Sequence, residues 1–319
     1  MKRRTALITG IAGFAGSWLA EELLRNGYRV FGTVAPKESL ANLRNVENKL
    51  SLSRLDILDT AACRKIVASV KPDHLFHLAA IASVGRSFDM EQITFRVNFD
   101  GTLNLLEAAR QHPKLKSFLF VGSADSYGIF QPPTKVLSEQ QCFNPISPYG
   151  IAKAAAEFAS RYYYRAHGLP VVIARPFNHS GPRQTDNFVI PSFAKQIAMI
   201  EADRQKRVLM VGDLSVKRDI SDVRDIVRGY RLLAEKGKPG EVYQLCSGKA
   251  VSIQRVLDML ITFSHADISV KVDKSRLRKA DIPILRGSNA KATRHVNFAS
   301  EIPLRTTLQD TLEFWRGRI

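Results

Sequence analysis

The run Arg4-Thr-Ala-Leu-Ile-Thr-Gly10 passes into Gly10-Ile-Ala-Gly13-Phe-Ala-Gly16 and then into Ser17-Trp-Leu-Ala-Glu-Glu-Leu-Leu24, which reads as an apolar strand, a glycine turn and a helix. Few folds accept that order. Gly10 suits a tight turn, Gly13 lets a pyrophosphate approach the backbone, and Gly16 lets the helix pack against the strand. The helix N-terminus adds free N–H groups and the positive end of a dipole. The segment therefore predicts a dinucleotide cradle built from Gly10, Gly13, Phe14, Ala15 and Gly16.

The chain beyond Leu24 keeps the rhythm that such a turn requires. Apolar strands are expected at 5–9, 28–34, 51–55, 74–80, 117–122 and 171–175, with helical patterns at about 14–26, 59–70, 93–111 and 148–167. Strands alternating with helices imply βαβ units and a doubly wound parallel sheet, an α/β fold of Rossmann type. Beyond residue 180 the rhythm breaks. The expected division is a dinucleotide-binding domain over 1–180, rejoined in part by about 212–248, with 181–319 forming mainly a smaller C-terminal substrate lobe. Asp56 and Ile57, after the third strand, are expected beside an adenine. His77-Leu78-Ala79-Ala80 ends the fourth strand with small residues that leave a cofactor room.

The end of the second strand, Tyr28-Arg-Val-Phe-Gly-Thr-Val34, bears on which dinucleotide binds. An acid there accepts from the ribose 2′-hydroxyl of NAD, and a cation accommodates the 2′-phosphate of NADP. The chain continues Ala35-Pro36-Lys37-Glu38, with no acid directly at the strand end and Lys37 as the nearby cation. NADP(H) is favoured and NAD(H) remains possible.

Ser147-Pro-Tyr-Gly-Ile-Ala-Lys153 sets a phenol and an ammonium four residues apart, on one face if the segment is helical. A tyrosine that exchanges a proton near neutral pH needs its phenolate stabilised, and a lysine charge can do that. The fifth strand ends in Val121-Gly-Ser-Ala-Asp-Ser-Tyr-Gly128, where Ser123 is placed to donate to a carbonyl or alkoxide oxygen. Tyr149, Lys153 and Ser123 thus form an expected catalytic set, with Asp125 beside them.

Composition narrows the class. With 319 residues at 45% apolar content the chain can bury a sizeable core. Cys63, Cys142 and Cys246 are odd in number and widely spaced, which argues against a disulfide framework or a metal cluster. The basic start Met1-Lys-Arg-Arg resembles a secretion signal, but the apolar run behind it carries the glycine turn and meets Glu21-Glu22. No stretch is long enough to span a bilayer, so the cytoplasm is the expected compartment. The formal charge of +17 is dispersed along the chain and accompanies no nucleic-acid-binding module, so it is read as suited to an anionic substrate, to cofactor attraction or simply to solubility.

With the glycine turn and Tyr149 to Lys153 in place, a resemblance emerges from Arg175-Pro-Phe-Asn-His-Ser-Gly-Pro182, Phe188-Val189, Phe193 to Ile197, Gly212 to Asp219, Asp222 to Asp225, Gly240 to Tyr243 and Cys246 to Gly248. The chain resembles, over nearly its full length, the extended short-chain dehydrogenase/reductases that act on nucleotide sugars, and among them the GDP-4-keto-6-deoxy-D-mannose reductases. The resemblance implies NAD(P)H-dependent reduction of a C4 ketone on a GDP-linked sugar and, by analogy with the superfamily, a homodimer. It also implies substrate contacts at Ser83, Ser123, Asn178, Phe188, Val189, Lys195, Arg218 and Arg278. Two positions depart from the reductases. Arg183 stands where they usually have glycine, as in the related GDP-mannose 4,6-dehydratases, and Ala35 stands where NADP users often carry arginine.

Dehydratases need an acid/base group beyond the tyrosine, usually a Glu after the catalytic Ser or Thr. Here Asp125 holds that position with one methylene less reach, which favours simple reduction because proton transfer needs close contact. The alternatives are a nucleotide-sugar 4,6-dehydratase or 4-epimerase, and, outside enzymes, a dinucleotide-sensing binding protein.

Overall fold

The computed structural model describes residues 3–130, 132, 136–277 and 281–319. The strands are β1 (Thr5–Thr9), β2 (Arg29–Val34), β3 (Ser51–Arg54), β4 (His74–His77), β5 (Ser117–Val121), β6 (Val171–Pro176), β7 (Asn178–Ser180), β8 (Val208–Val211), β9 (Lys217–Asp222), β10 (Val242–Leu245), β11 (Ala250–Ser252), β12 (Ser269–Val272) and β13 (Ile284–Leu285). The helices are α1 (Phe14–Arg25), α2 (Thr60–Val70), α3 (Val84–Ser87), α4 (Glu91–Phe95), α5 (Gly101–Arg110), α6 (Pro148–His167), α7 (Val189–Glu201), α8 (Val223–Lys236), α9 (Ile253–Ile261), α10 (Ala290–Val296) and α11 (Leu304–Arg316).

Seven strands form one sheet in the order β10-β6-β5-β4-β1-β2-β3, and every neighbouring pair is parallel. Parallel strands bury both faces, so their sequences read as apolar runs rather than alternations. β4 and β6 are buried at every residue, whereas the edge strand β3 is mostly exposed. One face packs Leu19, Ala20 and Leu23 of α1 with Ile226, Val227 and Leu233 of α8. The other packs Val67 of α2, Leu105 and Leu106 of α5 and Ala156 of α6. The strand order reverses between β1 and β4, and ligands of such sheets bind in the crevice that this reversal opens at the strands' carboxyl ends.

Local chemistry sets the helix that matters most. Ser147 caps α6 by accepting from the Gly150 amide at 3.1 Å, and Pro148 occupies a first-turn position where its missing N–H costs nothing. Gly168, at φ +67°, ends the helix in the left-handed conformation. The expected single helix over 93–111 is instead α4 and α5 joined by a π-helical stretch, Arg96–Asp100. Past β6 the chain builds a four-stranded sheet, β11-β9-β13 with β7 also on β9, and a two-stranded pair β12-β8. Their apolar faces meet α7, α9 and α11 in a separate core that includes Ile197, Leu257 and Leu308.

Candidate active site

Both halves of the predicted cradle meet at the reversal point. Gly10 leaves β1 at φ +71°, a conformation that L side chains rarely adopt, and a Cβ there would stand 2.8 Å from the Cα of Ala79, just past β4. The turn and the Leu78–Ala80 segment therefore touch. Gly13 is the N-cap of α1 and no side chain caps that helix, so the first-turn N–H groups at Phe14, Ala15 and Gly16 face outward for an anion. An uncapped helix end behind a close glycine turn fits a dinucleotide pyrophosphate. Asp56 is exposed, and its Oδ1 accepts from the Leu58 amide at 2.9 Å. Ile57 is buried among the α2–α5 contacts.

Beneath the crevice, His77 bridges Thr9 Oγ1 at 2.8 Å and Thr102 Oγ1 at 3.0 Å. Thr102 donates its one proton to the Asn98 carbonyl, so we assign the imidazole proton to Nε2, leaving Nδ1 to accept from Thr9. Burial and the Lys153 charge push this histidine down to about 3. It is a neutral strut, not an acid.

Tyr149 and Lys153 lie one turn apart on α6, 8% and 4% exposed. Ser123 begins the 3-10 turn Ala124–Tyr127: its Oγ accepts from the Asp125 amide at 3.1 Å and lies 3.2 Å from Asp125 Oδ2, to which it donates. That turn can press against α6 because residue 150 is glycine, where a Cβ would stand 2.8 Å from the Asp125 carbonyl oxygen. Ser123, Asp125 and Tyr149 are thereby gathered into one cluster. Burial pushes the Tyr149 phenol up, the Asp125 charge adds to the rise, and a hydrogen bond with Ser123 opposes it. Lys153 donates to the Val121 carbonyl at 2.8 Å, and burial lowers it to about 8. The expected downward pull of Lys153 on the tyrosine does not appear, because its ammonium is turned toward the end of β5. The phenol therefore keeps its proton, which suits an acid.

Behind the cluster, Glu157 takes a bidentate grip from Arg175 at 2.6 and 2.8 Å, both side chains almost fully buried. Arg175 also donates to the Tyr127 hydroxyl at 2.7 Å. This network ties the Ser123 turn, β6 and α6 into one rigid unit, and a removed partner would leave a buried charge costing about 3–5 kcal/mol.

The expected substrate residues are spread over the second half. Asn178 and Val189 are exposed, and Phe188 is the N-cap residue of α7. Ser83 caps the short α3, accepting from the Arg86 amide at 3.3 Å. Lys195 pairs with Asp186 at 2.7 Å. Arg218, on β9, is 7% exposed, donates to the Lys217 and Ile282 carbonyls and pairs with Asp281. It is thus already engaged by protein, not simply open to a diphosphate. Arg278 lies outside the described residues. Arg183, the departure from glycine, sits at φ +76° with its guanidinium 4.2 Å from the Trp18 ring and paired with Glu21, and Trp18 Nε1 donates to Pro182 O at 3.0 Å. That arginine fastens its loop to the cradle helix.

Three contributors escaped the sequence reading. Asn98, in the π-helical stretch, holds the Ile81 backbone from both sides, Oδ1 to N at 2.8 Å and Nδ2 to O at 3.1 Å; no residue pattern announces a π turn, though such turns gather at functional sites. Gly150 was readable only once its neighbour across the gap was known. Arg54 donates to the carbonyls of Ala35 and Glu38 at 2.8 and 2.7 Å, and the signal for it was the parallel pairing of β2 with β3.

Comparison with known proteins agrees with this arrangement. A family model described as GDP-mannose 4,6 dehydratase matches residues 7–311. GDP-6-deoxy-D-mannose reductase of Pseudomonas aeruginosa is 35% identical over 248 residues, 78% of this chain and 82% of that protein. The solved structure of RMD from Pseudomonas aeruginosa complexed with NADPH matches at TM-score 0.85 and 30% identity, covering 99% of this chain and 100% of that one. UDP-glucose 4-epimerase of Thermus thermophilus, complexed with NAD, matches at TM-score 0.88 and 26% identity over 99% and 100% of the two chains. With its glycine cradle, its Ser123-Tyr149-Lys153 cluster and a family match spanning nearly its whole length, the chain belongs to the GDP-mannose 4,6 dehydratase family within the extended short-chain dehydrogenase/reductases.

Proposed function

We propose that the protein reduces the C4 ketone of a GDP-linked 4-keto-6-deoxy hexose, giving a GDP-6-deoxyhexose, with NADP(H) as the favoured cofactor and NAD(H) usable. The observation that carries this reading is the Ser123-Asp125-Tyr149 cluster. Its tyrosine is held protonated, and its carboxylate accepts from the catalytic serine. A dehydratase needs that carboxylate as a base at C5, whereas a reductase needs only the phenol as an acid.

A reduced nicotinamide, when bound in the cradle, supplies the hydride. When the ketone enters, the Ser123 hydroxyl turns its one proton from Asp125 Oδ2 to the ketone oxygen and polarises it. Tyr149 gives its proton to that oxygen as negative charge develops. Lys153, charged below about pH 8, stabilises the tyrosinate left behind once its ammonium turns from the Val121 carbonyl toward the phenol, and is available to the nicotinamide ribose. Asn178, Phe188, Val189, Lys195, Arg218 and Arg278 are proposed to hold the nucleoside diphosphate, with Ser83 and Ser123 nearer the sugar. Segments beyond residue 180 serve mainly this purpose.

Further support comes from the reductase relative. The family match keeps the 4,6-dehydratase as the second reading. Tyr149→Phe separates catalysis from mere dinucleotide binding: turnover should fall by about two to four orders of magnitude while NADPH binding persists. Near-normal turnover in that variant rejects the mechanism.

A homodimer is part of the proposal. Ile151, Phe158 and Tyr162 follow one face of α6 and are 43%, 60% and 58% exposed, and burying such a stripe against a second copy stabilises both. Light scattering on the wild type and Phe158→Glu checks this, and a wild-type monomer rejects it. No helix among the described residues is long and apolar enough to cross a membrane. That observation and the free thiols at Cys63, Cys142 and Cys246 support a cytoplasmic setting.

A further inference from the structure

We propose that Arg54, reaching across from β3, supplies the cation that contacts an adenosine 2′-phosphate, and that Glu38 is the opposing acceptor that keeps a 2′-hydroxyl cofactor usable. The inference rests on the reading of the glycine turn as a nicotinamide dinucleotide cradle, and it concerns how this chain chooses between the two forms.

The choice is made at the turn after β2, where this chain has Ala35. The sheet register places Arg54 directly beside Val34, the last residue of β2. From there its Nη1 donates to the carbonyls of Ala35 and Glu38 at 2.8 and 2.7 Å, so the guanidinium lies across the turn. Carbonyls orient the group without neutralising it. Among the described residues no carboxylate forms an ion pair with Arg54, and a guanidinium has five N–H groups, so its Nε and Nη2 edge remains for a phosphate. Lys37, the cation expected from sequence, is exposed on the turn itself and lacks the planar fork that matches phosphate oxygens.

Glu38 works in the other direction. Its Oε2 accepts from the Ala35 amide at 3.2 Å, and its Oε1 stands 4.0 Å from where a Cβ on Gly13 would project. The carboxylate thus faces the glycine turn, on the side from which a ribose would extend. It can accept from a 2′-hydroxyl, and it repels a 2′-phosphate carrying roughly −1.5 to −2 charges. One turn therefore presents a cation for one cofactor and an acceptor for the other.

Dissociation constants for NADPH and NADH, read from nicotinamide fluorescence on the full chain, test this without turnover. Arg54→Ala should weaken NADPH roughly ten- to a hundredfold, as expected for a charge-assisted contact, while leaving NADH nearly unchanged; Arg54→Lys should restore part of the loss. Glu38→Gln should tighten NADPH and weaken NADH. Arg54 is exposed, so its variants should melt with the wild type, and a melting curve verifies this. If Arg54→Ala leaves the NADPH-to-NADH ratio unchanged, the inference is overturned although the cradle stands. If the wild type binds neither dinucleotide, the functional reading falls with it.

Discussion

Asp125 receives a hydrogen bond from Ser123 at 3.2 Å and at the same time raises the Tyr149 phenol by its charge. In the proposed mechanism the carboxylate adds to the burial that keeps the proton on Tyr149 and orients the serine, and neither role requires it to remove a proton from carbon.

Asp125→Asn tests that division of labour. An amide can still accept from Ser123 but carries no charge, so ketone reduction should persist within about tenfold of wild type, the loss of one modest interaction. Steady-state rates with the 4-keto substrate check it. Abolished activity in a folded, NADPH-binding variant would assign the base of a dehydratase instead.

Lys153 sets an alkaline limit. Burial lowers it to about 8 while Tyr149 is pushed up, so the ammonium is the first of the two to lose its proton as pH rises. The free-enzyme profile of kcat/KM in the reductive direction should fall through an apparent pKa near 8. A profile flat to about pH 10 would remove the lysine charge from the mechanism.

His77 shapes acid stability. Its folded pKa, about 3, lies below the ordinary 6.5, so between those values the unfolded chain binds the extra proton. Stability is then fully present above pH 6.5 and is lost as pH falls toward 3. His74, lowered to about 4 by burial, adds in the same direction. Urea midpoints should drop from about pH 7 to about pH 5, and His77→Gln, which keeps a donor and an acceptor, should flatten that slope. An unchanged slope contradicts the assignment.

Much of this was legible beforehand. The six expected strands coincide with β1 to β6 to within a few residues; buried parallel strands leave apolar runs, whereas the exposed edge strand β3, Ser-Leu-Ser-Arg, carries no such run. α6 could be bounded by Ser147 and Pro148 at its start and Gly168 at its end, each with a backbone reason. What escaped depends on partners distant in sequence. Arg218 could be read as a cation, but its carboxylate Asp281 lies 63 residues away. Arg54 gained meaning only through the β2–β3 register, and the π turn around Asn98 has no compositional mark.

Arg218 gives a sharper test because Asp281 competes for it. A phosphate contact contributes on the order of 1.5–3 kcal/mol, so Arg218→Ala should raise the nucleotide-sugar KM roughly ten- to a hundredfold with NADPH affinity unchanged. Asp281→Asn should lower that KM by freeing the guanidinium. If neither variant moves KM, Arg218 serves the fold of β9 alone.

The most direct measurement offers the purified protein GDP-4-keto-6-deoxymannose with NADPH in one reaction and GDP-mannose alone in another, with products identified by mass. The account predicts NADPH oxidation and a product two mass units heavier in the first, as expected for addition of a hydride and a proton, and unchanged GDP-mannose in the second. Loss of water from GDP-mannose, without reduction of the ketone, would contradict it.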